Sequence, residues 1–305
     1  MDIARYREEY EARLGEETRT ARAAGGGVRA AVAAIKDRDR SAADRVAAIV
    51  DASPGAVGKP SLMKLLLAIL ADPGEDDAVR LAALSSLQQA SFSVAGFGRY
   101  AADFGAALRS AATDDDPALR ERALDILALQ GDEYAQRLLA EGLQDPAKAL
   151  VAPRKALEMI GYDVHAEQYG MLRDLAEGSR QKGVRQAALR LLAADSGSAD
   201  LFARIAADTT DDPGARATAA VALQGMAPSE FAEIARRVVD DDDDHDGVRA
   251  TFITALAHGP GEVDPGIGEK VRSIAEAPAP SGPTTASARQ LRTSAKSFLR
   301  VVEPS

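Results

Sequence analysis

Residues 114–127 read DDDPALRERALDIL, and this stretch contains the pattern that decides the fold. Its acidic residues and Pro117 precede Arg120, and apolar residues follow at the third, fourth and seventh positions after that arginine: Ala123, Leu124 and Leu127. Because an α-helix has about 3.6 residues per turn, side chains at these offsets lie on one stripe of a helix. An Asp before a Pro favours the start of a helix, since its carboxylate can accept hydrogen bonds from the free amides of the first turn. The stretch therefore predicts an amphipathic helix that begins next to Asp116.

The same register recurs along the chain at intervals of 31 to 40 residues. Its anchor positions are Arg45, Arg80, Arg120, Pro153, Arg185, Arg216 and Arg249. We expect Arg292, followed by Ala295 and Leu299, to start a terminal copy. A second segment with helical periodicity precedes each anchor, at about residues 27–36, 61–71, 99–112, 133–143, 165–177, 199–208, 229–240 and 267–276. The sequence therefore predicts an all-α chain built from seven to eight helix pairs.

The unit of a helix, an Asp- and Pro-rich turn and a Val-Arg-x-x-Ala-Leu-x-x-Leu helix resembles the HEAT repeat, including the bacterial HEAT-like units of phycobilin lyases. The resemblance covers residues 27–260. It implies a right-handed α-α superhelix, a HEAT-like solenoid of about seven to eight helix pairs. It also implies a ladder of ion pairs between turn aspartates and anchor arginines, which would join Asp77, Asp116, Asp212 and Asp246 to Arg80, Arg120, Arg216 and Arg249. Pro153 replaces the arginine in one unit, so the ladder is expected to lack a rung there.

Two terminal segments flank the predicted array of residues 27–276. Residues 1–26 are expected to form an N-terminal capping helix or, alternatively, a helix that binds a partner or a second copy. The apolar positions at helical spacing in this segment are Ile3, Tyr6, Tyr10 and Leu14. Residues 277–286 have the Pro- and Ala-rich composition of a linker. Residues 287–305 are expected to form a C-terminal helix that caps the array, with a detachable tail as the alternative.

The charge balance and the absence of cysteine exclude several classes of function. The chain has 47 Asp and Glu against 37 Lys and Arg, a net charge of −10, and no cluster of basic residues. Such a balance disfavours nucleic acids and anionic membranes and favours another protein or a peptide as the partner. Without cysteine, disulfides, thiol catalysis and cysteine-bound metals are excluded. The most apolar run, residues 65–71, is far shorter than the roughly 20 residues that span a membrane, so we expect a cytoplasmic protein with no membrane span.

Two patterns that resemble metal sites fail on their spacing. The acidic turn at residues 240–247 matches the start of a calcium loop, but Ile253 occupies the position that needs a bidentate Glu. Weak cation binding at this turn is left open. The three histidines contain no pair four residues apart, which is the spacing of two metal ligands on one helix face. We predict no cofactor, no metal and no catalytic residue.

A non-enzymatic interaction scaffold is the function that these features favour, with a lyase-like protein that handles a small molecule or chromophore as the alternative. In such an array the second helix of each pair lines the partner surface, through the first, second and fifth positions after the anchor. The candidate contacts at these positions are Glu121, Arg122, Asp125, Lys155, Glu158, Gln186 and Arg190. The long interval between Arg80 and Arg120 contains an aromatic insertion whose candidate contacts are Phe92, Phe97 and Tyr100. The alternative is that these rings only fill the core between two irregularly stacked repeats.

Overall fold

The structure is a computed structural model that describes residues 27–259, 264–278 and 284–302. Every regular element among these residues is a helix, which confirms the all-α prediction. The predicted N-terminal capping helix, residues 1–26, lies outside the described residues, as do residues 279–283 of the predicted linker. The chain divides into two compact units, the first comprising Met1–Leu139 and Lys148–Val151 and the second comprising Ala140–Ala147 and Ala152–Ser305.

The helices follow the predicted pairs. Those of the first unit are α1 (27–36), α2 (Ala42–Ala52), α3 (Pro60–Ala71), α4 (Asp77–Ser91), α5 (Val94–Phe97), α6 (Ala101–Ala111) and α7 (Pro117–Leu129). Helix α8 (Glu133–Gln144) begins in the first unit and ends in the second. Those of the second unit are α9 (Pro153–Ile160), α10 (Tyr169–Gly178), α11 (Lys182–Leu192), α12 (Ala199–Ala207), α13 (Pro213–Met226), α14 (Pro228–Asp240), α15 (Asp246–His258), α16 (Pro265–Glu276) and α17 (Ala286–Val302).

Burial follows the predicted stripe of each anchor helix. In α4, the side chains of Ala83, Leu84 and Leu87 are fully buried, and the matching positions of α7, α11 and α13 are buried as well. Removing a Leu-sized side chain from water stabilises a fold by about 1.5–3 kcal/mol, so each stripe contributes substantially to packing. The terminal copy departs from the prediction. Helix α17 buries Phe298 instead of Leu299, because Leu291, Ala295 and Phe298 form its inward face.

The pairs pack side by side within each unit. In the second unit the anchor helices contact one another in chain order, α9 with α11, α11 with α13, α13 with α15, and α15 with α17. The preceding helices do the same, since α14 contacts both α12 and α16. In the first unit α4 contacts α2 and α7, while α3 contacts α6. Each pair therefore buries its apolar stripe against its own partner helix and against the neighbouring pair.

The anchor arginine joins three elements at once, and Arg216 of α13 shows this most completely. Its Nε donates to the carbonyl of Ala206 in α12, at 3.3 Å. Its two terminal nitrogens donate to the two carboxylate oxygens of Asp244, at 2.5 and 2.7 Å, in the turn before α15. Both side chains are almost fully buried, at 1% and 2% exposure. One side chain thus ties its own helix to the preceding helix and to the next pair.

The same arrangement recurs where the following turn supplies a carboxylate. Arg45 donates to the carbonyl of Ile35 at 2.8 Å and to both oxygens of Glu75 at 2.7 and 2.6 Å. Arg185 likewise pairs with both oxygens of Asp211. Burial alone would raise the pKa of Asp244, but the hydrogen bonds from Arg216 and from the amide of His245 hold it below its ordinary value.

The anchor arginine of α7, Arg120, binds carbonyl groups instead of a carboxylate. Arg120 donates to the carbonyls of Leu150 at 2.8 Å and Asp114 at 2.6 Å. The reason is that residues 149–152 in the next turn read Ala-Leu-Val-Ala and contain no acid. Arg80 on the preceding anchor helix takes the carboxylate of Asp114, at 2.6 Å. The half-buried guanidinium of Arg120 is therefore satisfied by carbonyl groups of its own turn and of the following one.

Two of the four predicted ladder pairs, Asp116 with Arg120 and Asp212 with Arg216, were wrong, and the other two are present only as long ion pairs within one turn. Asp116 and Asp212 cap their own helices, through hydrogen bonds from the amides of Leu119 at 2.7 Å and Gly214 at 3.0 Å. Asp77 and Asp246 approach the arginine three residues later only at 3.5 and 4.0 Å. The pairing carboxylates come one or two residues before the capping position, in the turn of the following pair. They are Glu75, Asp114, Asp211 and Asp244.

Substitution Arg216→Ala should destabilise the second unit by about 3–5 kcal/mol, because it leaves the buried carboxylate of Asp244 without a partner. The matched control is Arg204→Ala, since Arg204 makes a 2.5 Å ion pair with Glu177 in which both side chains are largely exposed. Its expected cost is below about 1 kcal/mol. Hydrogen exchange of the amides in α13 and α15 measures both effects. Equal losses in the two variants would contradict the role given to the buried pair.

Acid should weaken the first unit through Glu75. The hydrogen bond from Arg45 lowers the pKa of Glu75 from 4.5 to about 2, against the raising effect of burial. Between these values the unfolded chain binds a proton that the folded chain does not, so stability falls as the pH falls from 4.5 toward 2. Glu75→Gln should remove this part of the slope. Urea midpoints of wild type and variant between pH 2.5 and 7 test it, and parallel pH profiles would refute it.

Candidate functional site

The aromatic insertion interrupts the repeat between α4 and α6. Helix α4 ends at Ser91, the short helix α5 follows, and a 3₁₀ turn over Gly98–Tyr100 leads into α6. Gly96 lets α5 lie close to the preceding turn, because a Cβ atom at this position would be 2.9 Å from a methyl group of Val57. The insertion is thus fixed against α4 and the Ala56–Gly58 turn rather than projecting freely.

Most of the aromatic rings of the insertion face the core. The rings of Phe97 and Phe104 are nearly perpendicular with centroids 5.5 Å apart, and Tyr100 lies 6.2 Å from Phe97. Phe97 and Tyr100 are each only 5% exposed. The core-filling alternative therefore describes Phe97 and Tyr100, whose buried rings cannot serve as the partner contacts expected from the sequence.

Phe92 and Val94 have the opposite environment. Phe92 caps the C-terminal end of α4 and is 78% exposed, and Val94 at the start of α5 is 81% exposed. Leu129 at the end of α7, the helix beside α4, is a further exposed large apolar side chain. Val94 and Leu129 were not among the candidate contacts. Val94 lies within the aromatic insertion that the sequence analysis identified. Leu129 follows the buried stripe of α7, and periodicity alone does not distinguish an exposed leucine at that position from a buried one.

A polar row lies next to these apolar side chains on α4 and α7. A terminal nitrogen of Arg122 donates to Oε1 of Gln88 at 2.6 Å, so the two helices are joined across their surface. The other terminal nitrogen lies 3.7 Å from a carboxylate oxygen of Asp125. Glu121 is exposed beside them. In the first unit, the predicted contacts Glu121, Arg122 and Asp125 are therefore brought together on one helix face.

The remaining predicted contacts belong to the second unit, on the adjacent helices α9 and α11. Nζ of Lys155 lies 3.3 Å from a carboxylate oxygen of Glu158, and Glu158 is exposed. On α11, Arg190 is exposed and Gln186 is half-buried. This face combines basic, acidic and amide groups with partly buried aliphatic stems.

Two carboxylates of the acidic turn that resembles a calcium loop are engaged by cations of the protein. Asp242 accepts from Arg249 at 2.7 Å and from Lys270 at 2.8 Å. Asp244 accepts from Arg216, and Ile253 is fully buried. Across residues 27–259, 264–278 and 284–302, no group of three or more His, Asp or Glu side chains could hold a metal ion. Within the same ranges, no helix is both long and apolar enough to cross a membrane.

Comparison with known proteins gives no family assignment. No family model matches the chain, and no curated protein matches it. A solved structure of human deoxyhypusine hydroxylase in complex with glycerol aligns with 84% of this chain and 100% of its own. The aligned chains are 15% identical, and the TM-score is 0.33. A TM-score this low does not establish a common fold, so neither architecture nor activity is transferred from that enzyme.

The two kinds of aromatic residue in the insertion should respond differently to truncation. Phe97→Ala should destabilise the first unit by about 3–5 kcal/mol, because it leaves a cavity beside Phe104. Phe92→Ala should change stability by no more than about 0.5 kcal/mol, because its ring is already in water. Urea unfolding of the two variants measures the difference. A large loss for Phe92→Ala would show that this ring has a packing role.

Proposed function

We propose that the chain is a HEAT-like, right-handed α-solenoid that acts in the cytoplasm as a non-enzymatic scaffold for another protein or peptide. The side-by-side packing of helix pairs within each unit supports the solenoid. The arginine that joins one pair to the next supports the HEAT-like assignment, because it recurs at the same position in successive pairs.

The outward faces of the terminal helices support the same architecture. Residues one before and six after the anchor are buried in α4 and α7, where they are Val79, Ser86, Leu119 and Ile126. In α2 these positions are the exposed Asp44 and Asp51. In α17 the exposed Lys296 stands at the fourth position after the anchor, where the other anchor helices have a buried apolar residue such as Leu84 of α4. Polar substitutions on the side that would meet a further pair are typical of capping repeats.

The exposure of Phe92 and Val94 is the observation that carries the function. Burying side chains of this size is favourable by about 1.5–3 kcal/mol each, yet the fold leaves both in water beside a well-packed aromatic cluster. Exposed aromatic anchors surrounded by polar groups are typical of protein interfaces. The polar row of Gln88, Arg122 and Asp125 next to them can supply hydrogen bonds to a partner.

The lyase-like alternative requires a binding pocket instead of an exposed surface. A small molecule or chromophore needs a concave pocket that surrounds most of its surface with a few convergent polar groups. Phe92 and Val94 instead project from the surface, which favours a macromolecular partner. The alternative stays a prediction, and the binding experiment below distinguishes it.

Substitution of both apolar residues, Phe92→Ser with Val94→Ser, should weaken partner binding at least tenfold, because interface anchors of this kind contribute about 2 kcal/mol or more. The partner is first captured from a lysate of the native host with the wild-type chain and then titrated by calorimetry. The matched control is Val50→Ser with Val221→Ser, which removes two other exposed valines.

Unchanged affinity of the Phe92 and Val94 variant would refute the proposed surface. Copurification of a small molecule with the wild-type chain, without a protein partner, would favour the lyase-like alternative.

Charge reversal distinguishes between the predicted contacts of the two units. Arg122→Glu tests the face in the first unit, and Lys155→Glu with Arg190→Glu tests the face in the second. Loss of binding in only one of these variants identifies the unit that the partner contacts.

A further inference from the structure

Helix α17 of the second unit carries only positive charge. Its charged residues are Arg289, Arg292, Lys296 and Arg300, and residues 284–302 contain no Asp or Glu. The chain as a whole has a net charge of −10, so this helix is an exception to the charge of the molecule. These cations stand three or four residues apart and form no basic run in the sequence. Only helix formation brings them to one side, as the basic cluster that the sequence did not reveal.

Three of these cations form one exposed surface of α17, called the basic face from here on. It consists of Arg289, Lys296 and Arg300, all of which are exposed. At about 100° per residue, their side chains lie within an arc of about 40°. The buried side of the helix, around Phe298, points in the opposite direction. Eleven steps of about 1.5 Å separate the two ends, so the basic face is about 17 Å long.

The basic face has no counterion among the residues that the structure describes. None of its three cations forms an ion pair with a described side chain. By contrast, Lys270 on the adjacent helix α16 pairs with Asp242 at 2.8 Å. Thr293 and Ser297, which lie beside the cations, are exposed and have short side chains. An anionic partner can therefore approach the helix closely and supply the missing carboxylates.

The anchor arginine of α17, Arg292, borders the basic face. One of its terminal nitrogens donates to the carbonyl of Ala277 at the end of α16, much as Arg216 binds the carbonyl of Ala206. No described carboxylate binds Arg292 in the way that Asp244 binds Arg216. Its Nε is buried and has no hydrogen-bond partner among the described residues. The edge of the basic face thus adds a guanidinium whose demand for acceptors is only partly met.

The dimensions of the basic face favour a short acidic segment over a long polyanion. A DNA duplex carries one negative charge per about 1.7 Å of its axis and extends far beyond a surface of this length. The neighbouring helix α16 exposes Glu269 and Glu276, which would repel the phosphates of a duplex or of an anionic bilayer. A single acidic helix can lie along α17 alone. Carboxylates three or four residues apart on that helix match the spacing of the cations.

We propose that the basic face of α17 binds an acidic helix of another protein, whose carboxylates face the three cations along about three turns. Because exposed ion pairs are screened by salt, this contact is weak, reversible and sensitive to ionic strength. The basic face belongs to the second unit, whereas Phe92 and Val94 belong to the first. The chain then has two binding surfaces that recognise partners by different chemistry, one apolar and one ionic.

Fluorescence anisotropy with a synthetic peptide tests the proposal on the full-length chain. The probe is a labelled, stapled alanine-based helix of about 16 residues that carries four glutamates on one side. We expect binding at low ionic strength that weakens steadily as salt is added. The triple variant Arg289→Ser, Lys296→Ser and Arg300→Ser should bind at least about tenfold more weakly, because each exposed ion pair contributes up to about fivefold in affinity.

The matched control is Arg154→Ser, Arg180→Ser and Arg237→Ser, which removes three other exposed cations of the second unit and should change the affinity less than about twofold. Equal losses in the two triple variants, both with wild-type circular dichroism, would overturn the proposal, as would a wild-type chain that does not bind the peptide. Equal binding of a peptide with its glutamates spread around the helix would show only diffuse attraction. Tighter binding of a DNA duplex or of phosphatidylserine vesicles through the same cations would assign the basic face to another class of partner. None of these results bears on partner binding through Phe92 and Val94.

A charge swap tests whether the peptide binds through these ion pairs. The variant Arg289→Glu, Lys296→Glu and Arg300→Glu should no longer bind the glutamate peptide, because attraction is replaced by repulsion. The same variant should bind a peptide with lysines in place of the glutamates, because the pairs are reformed with their signs exchanged. Continued binding of the glutamate peptide by this variant would contradict the proposed contact.

Discussion

The buried ion pair between an anchor arginine and a carboxylate of the following turn sets the conditions for the rest of the fold. Removing a guanidinium from water is costly unless all of its donors find acceptors. Arg216 meets this demand with the carbonyl of Ala206 and both oxygens of Asp244. A lysine could not, because its ammonium group lacks the planar fork that matches a carboxylate. The distance and the angle between successive helix pairs are therefore constrained by the geometry of one side chain.

The same constraint explains why the turns are so acidic and why their roles are divided. In the run Asp114 to Asp116, the first residue pairs with Arg80 and the third caps α7. The sequence predicted the anchor positions, the helix pairs and the buried stripe, because all three follow from a periodicity of one helix. The sequence could not distinguish the aspartate that binds an anchor arginine from the aspartate that caps the helix. Neighbouring carboxylates in one turn differ only in the direction of their side chains, which the backbone of the turn determines. That direction depends on the anchor arginine of the preceding helix pair, about 30 residues earlier in the chain.

The insertion shows a similar limit for the candidate site. Phe92 and Phe97 are five residues apart in an aromatic stretch, and either could have been a core residue or a contact. The outcome depends on α5, which lies against α4 and the Ala56–Gly58 turn and directs Phe97 inward toward Phe104. Phe92 ends α4 before that bend and stays in solvent. The density of aromatic residues thus indicated where the repeat is irregular, but only the packing of α5 distinguishes the exposed side chains from the buried ones.

Burial of the arginines also sharpens what the net charge says about the partner. The chain has 37 Lys and Arg, but the side chains of Arg45, Arg80, Arg216 and Arg249 are at most 5% exposed and bind carboxylates or carbonyls of the protein. These cations cannot displace counterions from a polyanion, so the composition overstates the basic surface that a nucleic acid would meet. The accessible surface is left with exposed carboxylates such as Asp77 and Glu121. If Phe92 and Val94 form an interface as proposed, the partner gains most from an apolar pocket with a neutral or basic rim, because an acidic rim would add repulsion to the cost of desolvation.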